Sequence, residues 1–203
     1  MKFYFIRHGE SQANLRHEIA NRGLRYGLTH KGRQQAENLA LRLQGLAIDQ
    51  IFTSPVLRAL ETSIILANRW GVGYEVTDAL REYDCGCMEG RSDEIAWERW
   101  QALYDAWVIH KNYAERIEGG ESFNDLRARF VPWVESLIEK YQDQPLKIAC
   151  VGHGGIYTMM LPLILKNVDD SVIERFAFDY TTAIHAELRP EGLYCTEWNG
   201  HPL

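Results

Sequence analysis

The chain has 203 residues, 46% of them hydrophobic and 25% charged, and a net charge of −6. That length suits one domain around a sizeable core, and no stretch is apolar enough, over enough residues, to span a bilayer. An acidic balance makes a poor footprint for nucleic acid, so neither nucleic acid nor membrane is expected as a partner; a small anionic ligand stays open wherever a few cations converge in a pocket.

Lys2–Arg7 reads as a short, apolar, edge-free strand. It is too short for the apolar core of a signal peptide and no small-residue cleavage site follows, which points to a mature chain starting at Met1 and a cytoplasmic protein. Gly9 to Leu28 is polar and glycine-bearing, a loop with room for one helical turn. Thr29 is placed to cap a helix over Lys31–Leu43, with Ala36, Leu39, Ala40 and Leu43 on one face and Gly45 at its end. A strand over Asp49–Thr53 follows. Ser54-Pro55 has the form of an N-cap before proline, opening a helix from Val56 to about Trp70 with Gly71 past its end.

Tyr74–Thr77 is a third short strand, and Leu80 to Gly90 reads as loop. Asp93–Tyr113 is helical in pattern and carries Trp97, Trp100, Tyr104 and Trp107, an aromatic stripe expected to serve as core or cap. Gly119-Gly120 breaks the chain. Ser122, with Asp125 three residues on, caps a helix through Lys140 that Pro132 should kink. Lys147–Val151 is a strand, an apolar helix lies near Ile156–Leu165, and Ala183–Leu188 with Leu193–Trp198 form a hairpin across Pro190-Glu191-Gly192. Strands alternating with helices predict an α/β domain with a largely parallel sheet. The four cysteines, Cys85, Cys87, Cys150 and Cys195, lack zinc-knuckle spacing and are expected as reduced structural thiols.

The chemistry gathers at strand ends. Two apolar strands run straight into His and Gly, at Arg7-His8-Gly9 and at Gly152-His153-Gly154-Gly155. Ligands of open α/β sheets sit at the carboxyl ends of strands, so two imidazoles can share one crevice, with glycines that let a ligand approach the backbone. A third strand runs into Ser54-Pro55, followed by Arg58 in the first turn of a helix. A cation there opposes the helix dipole and calls for a function, and forked contacts to phosphate oxygens are what a guanidinium does well.

These blocks, in order, are Arg7-His8-Gly9-Glu10-Ser11 with Asn14; Leu28-Thr29 with Gly32 and Gln35-Ala36; Ser54-Pro55 with Arg58-Ala59 and Glu61-Thr62; Leu80 and Glu82 with Gly86 and Glu89-Gly90; Gly120-Glu121-Ser122; and Val151 to Gly155. Together they resemble the histidine phosphatase superfamily, also called phosphoglycerate mutase-like, across the chain from the first strand to the second catalytic histidine. The resemblance implies a three-layer sandwich, a mixed and mostly parallel sheet between helices, in a single domain over 1–203. It implies His8 as the nucleophile that becomes phosphohistidine and Glu82 as proton donor. Arg7, Arg58 and His153 would hold the phosphoryl group, with Asn14 and Gly154 as further contacts.

The chemistry expected is then metal-independent hydrolysis of small phosphate monoesters, without a cofactor; no carboxylate cluster of the magnesium-holding kind accompanies the motifs. His8 must attack as neutral imidazole, so Arg7 and Arg58 should lower its pKa, and its other ring nitrogen needs an acceptor. Two guanidiniums and an imidazolium at His153 would stabilise the phosphoryl charge. Glu82 must carry a proton and later take one from water, and burial would raise its pKa. The alternatives are a phosphoglycerate mutase and a non-catalytic module that binds a phosphorylated ligand. Against the mutase, Ala20-Asn21-Arg22-Gly23-Leu24 replaces a Phe-Thr-Gly-Trp stretch and Glu82-Tyr83-Asp84-Cys85-Gly86 replaces Glu-Arg-His-Tyr-Gly; the segment Glu121–Trp133 does resemble mutases. Against the binding module, His8, Arg58, Glu82 and His153 are all present. A helical insertion at about 92–118 and the loop from Arg16 to Tyr26 are expected to shape the specificity pocket, aromatics there suiting a ring-bearing or apolar leaving group. The natural substrate and the oligomeric state are not legible.

Overall fold

A computed structural model describes residues 1–176 and 178–203. Seven strands form one sheet in the order β3-β2-β4-β1-β5-β6-β7. Strands β1 (Lys2–Arg7), β2 (Gln50–Thr53), β3 (Tyr74–Val76) and β4 (Lys147–Gly152) pair in parallel, while β5 (Ala183–Arg189), β6 (Gly192–Trp198) and the two-residue β7 (His201–Pro202) extend the sheet antiparallel from β1. β1 therefore lies between β4 and β5, without an edge, as its apolar run predicts.

The period of two along β1 sorts its side chains to both faces. Phe3 and Phe5 enter one core with Phe52, Ile148, Cys150 and Ile184. Tyr4 and Ile6 enter the other with Ile51, Ala149 and Val151. Helices α2 (His30–Arg42) and α3 (Leu57–Trp70) close the second core through Leu39, Ala40, Ala59 and Leu66. Helices α4 (Glu94–Val108), α5 (Phe123–Tyr141) and α6 (Gly154–Ile164) close the first through Trp107, Phe130 and Ile156. The result is helix, sheet, helix. The remaining helices are short, α1 (Gln12–Leu15) in the loop after β1 and α7 (Asp170–Arg175), which sequence periodicity did not reveal.

Local chemistry sets most boundaries as read. Thr29 accepts from the Gly32 N–H at 2.9 Å and starts α2, and Ser122 with Asp125 forms a reciprocal capping box on α5. Gly71 adopts the left-handed conformation, φ 71°, that ends α3. Three expectations change. Val56, not Ser54, is the N-cap of α3: it is the last residue with extended backbone, φ −72° and ψ 132°, and it makes no side-chain cap bond. α4 stops at Val108, before a left-handed Lys111 at φ 54°. α5 runs on through Pro132, which sits on its exposed side. The cysteines are free, Cys85, Cys150 and Cys195 buried and Cys87 exposed.

One helical position sets where the residues after β1 lie. Glu10 donates its backbone N–H to Gln35 of α2 at 2.8 Å, and Thr29 N–H donates to the Glu10 carbonyl at 3.0 Å. A Cβ on Gly32 would run into that same Glu10 carbonyl, and one on Gly9 would run into the Gly32 carbonyl. In an ordinary helix, alanine for glycine stabilises by about 1 kcal/mol. Here overpacking should win. Gly32→Ala is expected to lower the melting temperature by up to roughly 8 °C: about 1–3 kcal/mol of overpacking, less the ~1 kcal/mol helix gain, leaves at most about 2 kcal/mol, at about 2–4 °C per kcal/mol for this size. A thermal melt followed by circular dichroism checks it; an unchanged or raised midpoint contradicts the packing argument.

Candidate active site

Parallel register brings the two histidines together. Arg7 on β1 pairs with Gly152 on β4, so the residues that follow, His8 and His153, leave the sheet side by side, and the His8 N–H donates to the Gly152 carbonyl at 3.1 Å. Their ring centroids are 5.1 Å apart, and both rings are buried. β2 ends one strand over, which sets Ser54 against His153, with 2.7 Å between the hydroxyl and Nε2. The hydroxyl that looked like a helix cap thus supports the second histidine, and it also accepts from the Val56 N–H at 3.2 Å.

Hydrogen bonding allows His8 one neutral tautomer. Nδ1 lies 2.6 Å from the carbonyl oxygen of Gly9, which can only accept, so Nδ1 carries the proton. Nε2 lies 2.9 Å from Nε of Arg58, which can only donate, so Nε2 carries the lone pair. The acceptor that the sequence argument required is therefore the neighbouring backbone carbonyl. Burial, then the charges of Arg58 and Arg7, hold the His8 pKa well below that of an ordinary histidine.

Arg58 is buried in the first turn of α3. Its Nη1 donates to the Ala20 carbonyl at 2.5 Å, and burial lowers its pKa to about 10. Thr62, one turn on, accepts from the Gly9 N–H at 3.2 Å and donates to the Arg58 carbonyl at 2.8 Å, tying α3 to the loop after β1. Arg7 donates to the Phe178 carbonyl and lies over the Tyr180 ring, 4.3 Å from its centroid. A Cβ on Gly154 would sit 3.4 Å from Arg7 Nε, so the start of α6 abuts this guanidinium.

His153 departs from one expectation. It is fully buried beside Arg58, His8 and Arg7, and burial first, then those neighbours, push its pKa well below 6.5. Both favour the neutral form in the ligand-free protein, in place of the expected imidazolium. The Ser54 hydroxyl, able to donate or accept, faces Nε2, and Nδ1 has no hydrogen-bond partner among the described residues.

Glu82 is buried against the amino end of α6. Oε2 accepts from the Gly155 N–H at 2.9 Å, and Oε1 accepts from Ile156 N–H at 2.7 Å and Tyr83 N–H at 3.1 Å. Those bonds and Arg58 favour the carboxylate, but burial outweighs them and raises the pKa. Gly155 makes this approach possible, since a Cβ there would come within 2.7 Å of Glu82 Oε1. Arg129 straps the loop from behind. It donates to the Ala79 carbonyl at 2.9 Å and pairs with Glu121 at 2.9 Å, while Glu121 accepts from the Asp84 N–H at 3.0 Å.

A cavity of about 320 Å³ opens over these groups. Arg7, His8, Arg58, Glu82, Asn14 and Gly154 line it; His153, fully buried, lies behind them and is not part of the wall. Asn14 spends its carbonyl on the Ser11 N–H (3.0 Å) and hydroxyl (2.7 Å), which leaves its amide donors for the cavity. The aromatic stripe divides. Trp107 is core, while Trp97, Trp100 and Tyr104 pack against the core and also form a cavity wall. Sequence reasoning missed Ser54, Thr62 and Gly155 as site residues; all three stand inside the recognised blocks, but nothing in spacing says what they touch. Among the described residues, no group of three or more His, Cys, Asp or Glu could hold a metal ion, and no helix is long and apolar enough to cross a membrane.

Comparison with known proteins gives concordant matches. The profile of the family described as "Histidine phosphatase superfamily (branch 1)" matches residues 3–201. A probable phosphoglycerate mutase, GpmB, of Salmonella choleraesuis is 32% identical over 161 residues, 76% of this chain and 70% of that protein. A 6-phosphofructo-2-kinase/fructose-2,6-bisphosphatase of Gallus gallus is 37% identical over 136 residues, 66% of this chain but 27% of that protein, so the chain spans about a quarter of that relative's length. In fold, the chain resembles mycobacterial glucosyl-3-phosphoglycerate phosphatase at a TM-score of 0.82 and 22% identity, with 98% of each chain covered. It also resembles the alpha-ribazole phosphatase from Shigella flexneri at a TM-score of 0.80 and 22% identity, covering 98% of this chain and 96% of that one.

The tautomer argument is directly measurable. At pH 6 an ordinary histidine, pKa about 6.5, is mostly imidazolium. Nitrogen-15 NMR of the ligand-free protein at pH 6 is expected to find His8 neutral, with the proton on Nδ1 and the lone pair on Nε2. An imidazolium signal, or the opposite tautomer, would contradict both the burial and the Gly9 contact.

Proposed function

Because the chain belongs to the histidine phosphatase superfamily, we propose that it is a phosphatase that hydrolyses small phosphate monoesters without a metal, through a phosphohistidine at His8. The observation that carries this reading is the His8 tautomer: a buried neutral imidazole whose Nε2 lone pair is the one oriented by Arg58. In the first step Nε2 attacks phosphorus, the P–N bond forms as the ester P–O bond breaks, and the proton of Glu82 passes to the departing oxygen. Oε1 of Glu82 already accepts two N–H groups and Oε2 only one, so Oε2 is the oxygen with room for that proton. In the second step Glu82, now a carboxylate, takes a proton from water, the water oxygen attacks phosphorus, and the P–N bond breaks to return neutral His8.

The phosphoryl oxygens would fall among Arg7, Arg58, the Asn14 amide and the Gly154 N–H, and an arriving phosphate would reach His153 by displacing the side chains that cover it. His153 would then serve as a neutral imidazole, which suits a group buried beside two guanidiniums. Arg58 now donates to the attacking lone pair itself, so an arriving phosphate must draw that guanidinium onto its own oxygens before attack. The single domain over 1–203 and the pocket-shaping role of the 92–118 segment belong to the same reading. A mutase reading has support in the name of the Salmonella relative. It is disfavoured because the loop after Glu82 supplies Tyr83, Asp84 and Cys85 where a cation would serve a carboxylated substrate, and Asp84 is itself spent on Arg22 at 2.7 Å.

Two measurements test the roles. Rapid quench with labelled substrate is expected to trap phosphate on His8 as an acid-labile, alkali-stable adduct, absent in His8→Ala; label on Ser11, or turnover without any adduct, would remove the nucleophile assignment. Arg58→Ala should depress every ester alike, by roughly 10²–10³ in rate, the scale of a lost transition-state donor. Glu82→Gln should instead depend on the leaving group: a severe loss for alkyl phosphates, whose alkoxide needs a proton, and a mild one for p-nitrophenyl phosphate. Equal losses on the two esters would take the proton-donor role away from Glu82.

A further inference from the structure

The cavity has two ends of unlike chemistry. Arg7, His8 and Arg58 stand at the phosphoryl end, and among the described lining residues Arg7 and Arg58 are the only lysine or arginine. The wall that a leaving group would meet is made by Trp97, Trp100 and Tyr104 of α4 with Glu18 from the loop after α1. Trp100 and Tyr104 are near parallel, 19° apart with centroids at 6.1 Å, and Tyr83 continues the row at 24° and 6.4 Å from Trp100. Trp97 stands edge-on to Trp100, and its N–H is spent on the His17 carbonyl at 3.0 Å, so the corner of the wall is fixed. The Glu18 carboxylate accepts from the Tyr26 hydroxyl at 2.6 Å and pairs with Arg25 at 3.2 Å, while Arg25 itself is largely exposed.

Resting on the phosphatase reading of this same site, we propose that its substrates are monophosphates of ring-bearing alcohols with no second anionic group. A wall of aromatic rings rewards a ring-bearing partner by dispersion and burial, whatever the ring's identity. A second phosphate or a carboxylate on the leaving group would meet this apolar wall and the Glu18 carboxylate, with no lining cation beyond those that hold the phosphoryl group. Neutral and cationic rings are accepted on the same grounds. Hydrogen-bonding groups for hydroxyls between phosphate and ring are at hand in Asn21 and Thr158.

The test compares esters of similar leaving-group chemistry on the wild-type chain. The kcat/KM for adenosine 5′-monophosphate should exceed that for ribose 5-phosphate by about tenfold, the scale of one base–aromatic stack. Glycerol 3-phosphate should be preferred to 3-phosphoglycerate, which differs by a carboxylate, and adenosine 3′,5′-bisphosphate should lose the gain that the ring provides. Trp100→Ala should bring the first ratio toward one; a general effect on folding would lower both esters together and leave the ratio standing, and the wild-type ratios decide the matter if that variant does not fold. Ratios near one, or a preference for 3-phosphoglycerate, with His8-dependent hydrolysis of p-nitrophenyl phosphate intact, would overturn the specificity proposal and leave the phosphatase. No hydrolysis of any ester, p-nitrophenyl phosphate included, would take down both.

Discussion

A neutral imidazole has to be held, buried, within reach of two guanidiniums. In water a free histidine would reorient and, below its ordinary pKa, take up a proton; burial and two hydrogen bonds disfavour both for His8. Its Nδ1–H is committed to the Gly9 carbonyl and its Nε2 faces Arg58. Much of the surrounding backbone serves that placement. Gly9 must lie close to Gly32, and its N–H reaches Thr62. On the other side, the Thr181 N–H donates to the Arg7 carbonyl at 3.1 Å from a left-handed conformation, φ 58°, that is uncommon for a β-branched residue. Strain of this kind is of order 1–3 kcal/mol and persists only where neighbours over-determine it. Here the neighbours are the carboxyl end of β1, through Arg7 and His8, and the entry to β5.

The same burial acts in opposite senses on the two groups proposed as nucleophile and proton donor. Desolvation disfavours whichever form is charged, so it lowers the pKa of His8 and raises that of Glu82. Both shifts favour the neutral pair, a free lone pair on one side and a carboxylic acid on the other, which is the pair that in-line displacement with leaving-group protonation needs. The opposing contributions at Glu82 are informative. The N–H groups at the start of α6 and the charge of Arg58 both favour its anion. In the proposed mechanism they favour the carboxylate that the second half-reaction would need as base.

Legibility in the sequence followed the range of each interaction. Strand ends, caps and breakers are local, so Thr29, Ser122, Gly71 and the two His-Gly junctions read correctly. α7 is only six residues long and β7 two, too short for any period to emerge. Ser54 had the local form of a cap, but its hydroxyl answers to His153, ninety-nine residues away. The burial of His153 was hidden for the same reason: the desolvation that favours its neutral form in the ligand-free protein comes from packing that no window of sequence contains. The aromatic stripe divided because a helix at the rim of a cavity buries some of its rings and leaves others to line it, and only tertiary structure says where the rim runs.

That rim also joins the two ends of the site. The loop from Arg16 to Tyr26 contributes the His17 carbonyl that anchors Trp97, the Glu18 carboxylate on the wall, and the Ala20 carbonyl that holds Arg58 at 2.5 Å. Asn21 then donates to the Tyr83 carbonyl at 2.9 Å, one residue from Glu82. One loop of ordinary composition thus touches the leaving-group wall, the phosphoryl clamp and the segment that carries the proton donor. Its backbone carbonyls, rather than its side chains, make the contacts to Trp97 and Arg58, so side-chain identity there is free to vary while the positions of both groups stay fixed. A phosphoryl end built on strand and helix termini can then be kept constant while the wall is altered, which is why the residues that specify the chemistry form motifs and those that would choose the alcohol do not.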